Sequence, residues 1–254
     1  MILFLGDSFT WGQGLYFEEW YDNGVSADFI NKHLPPNYPQ ELMNYEDDEI
    51  RKKYHFPNLI SKELNTQYVT KWGNGGSNYD IINMLENVTY QMIPDGIELV
   101  VVQFTDFMRD AEFIIDDLEK KLGPDLNNVN YVMMEQINKI DNFCNYPTWH
   151  FGDSFQKLPW IGFSWRDDVG RALEKYYPDN FIPLEYNGKS YHGFIELYQE
   201  DIFLHNSILG CKDEHFNKKG HRFISNCILN KIEKMDIQFN KREFFQKSNF
   251  NKYY

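Results

Sequence analysis

"ILFLGDSFTWG", residues 2–12, decides how this chain is read. Four apolar residues stop at Gly6, and Asp7-Ser8 opens an aromatic stretch. A short continuous apolar run that ends at a glycine reads as a strand buried on both faces, the pattern of a parallel sheet. In an open α/β sheet, sites form beyond the carboxyl ends of the strands. Ser8 stands there, ahead of an expected helix, with its hydroxyl at the sheet edge and its N–H near a helix N-terminus. The same "GDSF" returns at residues 152–155. There Ser154 lies between "PTWHF" and "QKLPW", a proline-broken loop, so Ser8 is the better nucleophile candidate. A plain turn or helix cap is the competing reading of Asp-Ser.

Working outward, "IELVVVQF" (97–104) is the clearest buried strand and "TQYVTKW" (66–72) alternates like one. "PTWHF" (147–151) and "NFIPLEY" (180–186) are further strand candidates. Helical spacing predicts helices over 56–64, 79–92, about 108–122, about 128–143, 167–176 and 217–234. Asn217 is the expected N-cap of the last, with Phe223, Ile224, Cys227, Ile228 and Ile232 on its apolar face. Residues 13–55 read as irregular, with "EDDEIRKK" (46–53) a charged, solvated stretch, and 152–178 reads as a Trp-rich insertion with a helix near 167–176. Strand–helix alternation predicts an α/β fold with a parallel sheet and helices on both faces. The expected layout is one domain over 1–235, with insertions near 13–55 and 152–210, and a basic, aromatic tail over 236–254.

Composition excludes several classes. With 25 Lys and Arg against 38 Asp and Glu, the net charge of −13 opposes nucleic acid and anionic membranes as partners. Cys144, Cys211 and Cys227 are odd in number and loosely spaced, which argues against a disulfide framework and a zinc site and for small buried hydrophobes. No two metal ligands sit at i, i+4 beside a third, so neither metal nor cofactor is expected. No run approaches the ~20 apolar residues of a membrane helix. Met1 to Leu5 lacks the basic region of a signal peptide, so the expected location is cytoplasmic, with release by lysis as the alternative. A small-molecule substrate is the expected partner; oligomeric state is left open.

A serine nucleophile needs a base, and the base needs an orienting carboxylate. "CKDEHFNKKGH" (211–221) puts Asp213 two residues before His215, directly ahead of the closing helix. Gly75 and Gly76 follow the second strand, where a backbone N–H can approach a ligand closely. Thr105 follows the strongest strand and offers a hydroxyl. Four segments at strand ends or before helices thus each carry a suitable group, and their joint order is more specific than any one of them.

These segments resemble the conserved blocks of the GDSL, or SGNH, hydrolases. "FLGDSFTWG" is similar to block I, "GNGGSNYDI" to block II, "VVVQFTDFMR" to block III and "DEHFNKKGHRFI" to block V, in family order over residues 3–224. Two departures stand out. Thr105 occupies the place of the family's oxyanion asparagine, and Asp-x-His replaces Asp-x-x-His, with Lys212 at the usual aspartate position. The altered block III looks similar to a variant branch seen in bacterial and phage SGNH-like proteins, so a phage gene is one expected source. The resemblance implies a three-layer α/β/α sandwich, flavodoxin-like, with a mostly parallel sheet of about five strands. It implies a Ser8, His215, Asp213 triad and an oxyanion hole built from the N–H groups of Ser8 and Gly75 with Thr105. It implies hydrolysis of an O-acyl ester, an O-acetyl group on a carbohydrate being the family's frequent substrate. Asp7, Asn78 and Arg109 are the substrate-side candidates. The competing readings are a helix cap for Asn78 and an ion pair with Asp106 or Asp110 for Arg109. Trp11, Trp160 and Trp165 are candidates for a sugar-stacking wall, with ordinary packing the favoured reading. An O-acyltransferase using the same acyl-enzyme, and a non-catalytic module that keeps the fold, remain alternative functions.

Overall fold

The structure is a computed structural model that describes residues 1–32, 45–72, 77–92, 96–105, 129–145, 158–206, 214–237 and 239. "ILFLG" forms β1 (Ile2–Gly6), and all five of its residues are buried. It is an inner strand, paired in parallel with β2 (Tyr68–Trp72) on one side and β3 (Leu99–Phe104) on the other. A fourth strand, β4 (Trp160–Ser164), pairs in parallel with β3, giving the order β2-β1-β3-β4. Register runs Leu5 opposite Lys71 and Val102, so the carboxyl ends of β1 and β3 lie side by side.

The continuous apolar runs follow from burial on both faces. Alternation sends Ile2, Phe4, Leu99, Val101, Ile161 and Phe163 to one face. They pack there against Phe56 and Ile60 of the helix Phe56–Leu64 and against Ile224, Ile228 and Ile232 of the closing helix Lys218–Lys234. Leu3, Leu5, Val100, Val102 and Phe104 face the other way, toward Ile82 and Leu85 of Asn78–Met92, Ile137 and Ile140 of Val129–Asn145, and Val169 and Leu173 of Asp167–Tyr176. Each such apolar side chain taken fully from water contributes ~1.5–3 kcal/mol. Cys144 and Cys227 are free, buried thiols in these two cores, and burial holds the Cys227 thiol up at about 11. Cys211 lies outside the described residues.

Among the described residues, in chain order, the helices are α1 (Ser8–Trp11), α2 (Leu15–Asp22), α3 (Ala27–Lys32), α4 (Tyr45–Tyr54), α5 (Phe56–Leu64), α6 (Asn78–Met92), α7 (Val129–Asn145), α8 (Asp167–Tyr176) and α9 (Lys218–Lys234). Three of these, α2 to α4, fall where the sequence reads as irregular. The charged stretch in α4 is not wholly solvated. Arg51 is buried and its guanidinium lies 3.9 Å above the Trp11 ring, while Glu49 on the same helix is exposed. α2 is tied to the start of α9. Glu18 takes the Lys218 N–H at 2.6 Å, and the Lys218 ammonium reaches Glu19 at 2.6 Å and Asp22 at 2.7 Å.

The fourth strand corrects the reading of 152–178 as an insertion, since Trp160–Ser164 belongs to the sheet. "WIGFS" is a core strand, buried throughout, and the glycine within it is a packing requirement. A Cβ at Gly162 would stand 2.8 Å from the Phe104 ring. The candidate strand "PTWHF" and the candidate helix near 108–122 lie outside the described residues. "NFIPLEY" divides. Phe181 makes an isolated parallel bridge to Gly162 at the free edge of β4, while β5 (Leu184–Tyr186) turns through Asn187-Gly188 into β6 (Lys189–Tyr191) as a separate hairpin.

Candidate active site

Ser8 is the first residue of α1, and Asp7 is its cap. The Asp7 carboxylate accepts the Phe9 N–H at 3.0 Å, and the Asp7 carbonyl accepts the Trp11 N–H at 3.1 Å. A trans peptide sets N–H and C=O antiparallel. With the Asp7 carbonyl turned into the helix, the Ser8 N–H points out of its N-terminus. Among the described residues no acceptor takes that N–H. One carboxylate oxygen of Asp7, a substrate-side candidate, is engaged by this turn.

His215 reaches the serine from the far end of the chain. Its Nε2 lies 2.7 Å from Ser8 Oγ, a contact between residues 207 apart in sequence. That is the distance at which a neutral imidazole accepts a hydroxyl proton. The backbone carrying His215 is held from two sides. Its carbonyl accepts the Leu204 N–H at 2.9 Å, and the Asn217 N–H donates to Ile202 O at 3.1 Å, flanking an antiparallel bridge between Phe203 and Phe216. Asn217 caps α9 by accepting the Gly220 N–H at 2.8 Å, as its sequence position predicts. The Phe9 ring packs 4.6 Å from the imidazole, limiting how far it can swing. Glu214, beside it, is exposed and engaged by the Tyr198 hydroxyl at 2.6 Å, a bond that pushes the phenol up to about 12.

Thr105 sits at the carboxyl end of β3, buried. Asn78 holds its backbone twice. The Thr105 N–H donates to Asn78 Oδ1 at 3.0 Å, and Asn78 Nδ2 donates to Thr105 O at 3.3 Å. Asn78 is not the cap of α6. Ser77 takes that role, with its hydroxyl accepting the Asp80 N–H at 3.2 Å and Asp80 Oδ2 accepting the Ser77 N–H at 2.8 Å. Asn78 is therefore a bracket between two strand-end segments. Gly75, Arg109, Asp213 and Ser154 lie outside the described residues.

Two histidines, His55 and His221, lie buried behind the site. The Phe56 N–H donates to His221 Nδ1 at 3.2 Å, which puts the proton of the neutral ring on Nε2. Burial first, then the nearby His215, holds His221 down at about 3. His55 Nε2 meets the Tyr68 hydroxyl at 3.0 Å, and burial, then His221 and Arg51, hold it well below the usual histidine range. No sequence signal marks this pair, because nothing local shows that α5 and α9 converge.

Of the three tryptophans, Trp160 is core and donates to Asp141 at 2.9 Å. Trp11 lies under Arg51, and the half-buried Trp165 packs in a tilted pair with Phe9, ring centroids 5.2 Å apart, one ring away from His215. Among the described residues no three His, Cys, Asp or Glu side chains converge as a metal site requires, and no helix is long and apolar enough to cross a membrane. No family model, curated protein or solved structure matches the chain.

Proposed function

We propose that the chain is a serine ester hydrolase of the SGNH type, cleaving an O-acyl ester through an acyl-enzyme. The observation that carries this reading is the 2.7 Å contact between Ser8 Oγ and His215 Nε2. Two residues 207 positions apart, one at a strand-end turn and one before a helix, meet at proton-transfer distance beside a backbone N–H that no acceptor takes among the described residues. In this mechanism His215 takes the Ser8 proton as Oγ attacks the ester carbonyl. The oxyanion is received by the Ser8 N–H, with the Gly75 N–H and the Thr105 hydroxyl as further donors. His215 then protonates the departing alcohol, and a water activated by the same imidazole releases the acid. Asp213 is the acid assigned to orient His215 from the other ring nitrogen. Each oxyanion donor typically lowers the barrier by ~2.7–4 kcal/mol. The acetylated carbohydrate alcohol rests on the family resemblance alone.

The fold assigned with this reading is the three-layer, flavodoxin-like sandwich. Its support is the order β2-β1-β3-β4, with helices packed on both faces and the Phe181 bridge where a fifth strand would lie.

Intact-mass analysis after fluorophosphonate treatment tests the function without knowing the substrate. One adduct on Ser8, absent in Ser8→Ala and retained in Ser154→Ala, is the expected result. Hydrolysis of p-nitrophenyl acetate should vanish in Ser8→Ala and stay within a few-fold of wild type in Ser154→Ala. No adduct on the folded wild-type protein would replace the hydrolase with a non-catalytic module of this fold.

A further inference from the structure

Gln103 is an amide where the sheet calls for an apolar side chain. It is the fifth residue of β3 and fully buried, on the face that Leu99 and Val101 give to the core. Its Oε1 accepts the Asp7 N–H at 3.3 Å and the Thr10 hydroxyl at 2.9 Å. A backbone N–H can only donate, so the carbonyl end must face Asp7 and the NH2 end must point away. That NH2 group is buried and has no partner among the described residues. A residue kept only for packing would not bring two unsatisfied donors into the core. Gly6 completes the arrangement. A Cβ there would stand 2.8 Å from Gln103 Oε1 and 2.1 Å from Thr10 Oγ1, so the amide fills the space that the glycine leaves.

The two bonds bracket Ser8, one on the residue before it and one on the second residue after it. We infer that Gln103 is a positioning residue for Ser8, holding the Asp7–Thr10 turn from below so that the serine hydroxyl and N–H keep their aim. The inference rests on reading Ser8 as the nucleophile. Gln103 does not touch the substrate. It sets the peptide planes on which the attacking oxygen and its neighbouring donor depend, where misplacement by about 1 Å can cost on the order of 100-fold in rate.

The test compares the full chain with Gln103→Met, which keeps length and removes the acceptor, Gln103→Glu, which keeps the acceptor, and Thr10→Val, which removes one of the two bonds. With p-nitrophenyl acetate, Gln103→Met should lose about 10–100-fold in kcat with KM within about three-fold. Thr10→Val should fall between it and wild type, and Gln103→Glu should recover most of the loss. In 1H–15N spectra, Gln103→Met should shift the Ser8 and Thr10 amides and the His215 ring while leaving the second half of α9 unmoved. A wild type without hydrolysis or Ser8 adduct sinks the hydrolase reading, and the spectra still decide Gln103. Unmoved Ser8 and His215 resonances, or a kcat unchanged in Gln103→Met, overturn the inference. If Gln103→Met does not fold, Thr10→Val decides in the same way.

Discussion

A threonine hydroxyl reaches less far than an asparagine amide, so Thr105 can serve an oxyanion only if its backbone is held still. Asn78 supplies that hold through both the N–H and the C=O of Thr105. Thr105→Val keeps the shape and removes the donor. It should lower kcat roughly 10–1000-fold with KM little changed, because the bond strengthens as charge develops. An unchanged kcat would leave the backbone donors sufficient. Asn78→Ala strands the buried Thr105 N–H and should cost about 1–3 kcal/mol in urea unfolding as well as activity. At this scale the sequence was informative where chemistry is local. Ser8 and His215 could be read from their own segments. Gln103 could not, because its meaning lies in a bond to a residue 96 positions away, and a buried amide has no periodic signature.

Among the elements, the start of α9 matters most to the site, since His215 stands just ahead of it. Asn217 caps the helix, and its Nδ2 also donates to Asp201 O at 2.7 Å and Phe203 O at 3.3 Å. Asn217→Ala removes the cap and both bonds, so urea midpoints should report a loss of about 2 kcal/mol. Hydrolysis should fall further than stability does, because the loop that carries His215 loses its anchor. A variant that loses stability but keeps kcat would show that the Leu204 and Phe216 pairings fix the histidine alone. α9 was legible from its cap and its apolar face, and β1 and β3 from their unbroken apolar runs. β4 was not, since a glycine and a tryptophan in a short run resemble a loop until Phe104 is seen to occupy the missing side chain's place. The Asn187-Gly188 hairpin had a usable signal. Both residues have positive φ, 49° and 76°, as that dipeptide in a two-residue turn demands.

Over the whole molecule, stability should depend on pH through the buried histidine pair. His221, held down at about 3, and His55, also depressed, are neutral in the folded state, so the unfolded chain takes up their protons first. Their contribution is complete above the ordinary histidine value of about 6.5 and is lost as pH falls below it toward the folded values. The slope approaches about 1.4 kcal/mol per pH unit for each histidine. Carboxylates such as Asp201 and Glu19, lowered by their lysine partners, enter only near and below pH 4.5. Glu18, raised by burial, titrates in the opposite sense above pH 4.5, so His221 is isolated by comparing urea midpoints of wild type with those of His221→Asn: between about pH 6.5 and 5 the variant's slope should be shallower by up to about 1.4 kcal/mol per pH unit. Equal slopes in the two proteins would remove His221 from the linkage. The 207-residue separation of Ser8 and His215 also has a consequence for biosynthesis. The ribosome delivers His215 207 residues after Ser8. On the proposed reading of Ser8 as nucleophile and His215 as its base, a nascent chain should be catalytically silent however much of its sheet has formed, and fluorophosphonate capture on a series of stalled chains should switch on only once α9 has cleared the exit tunnel.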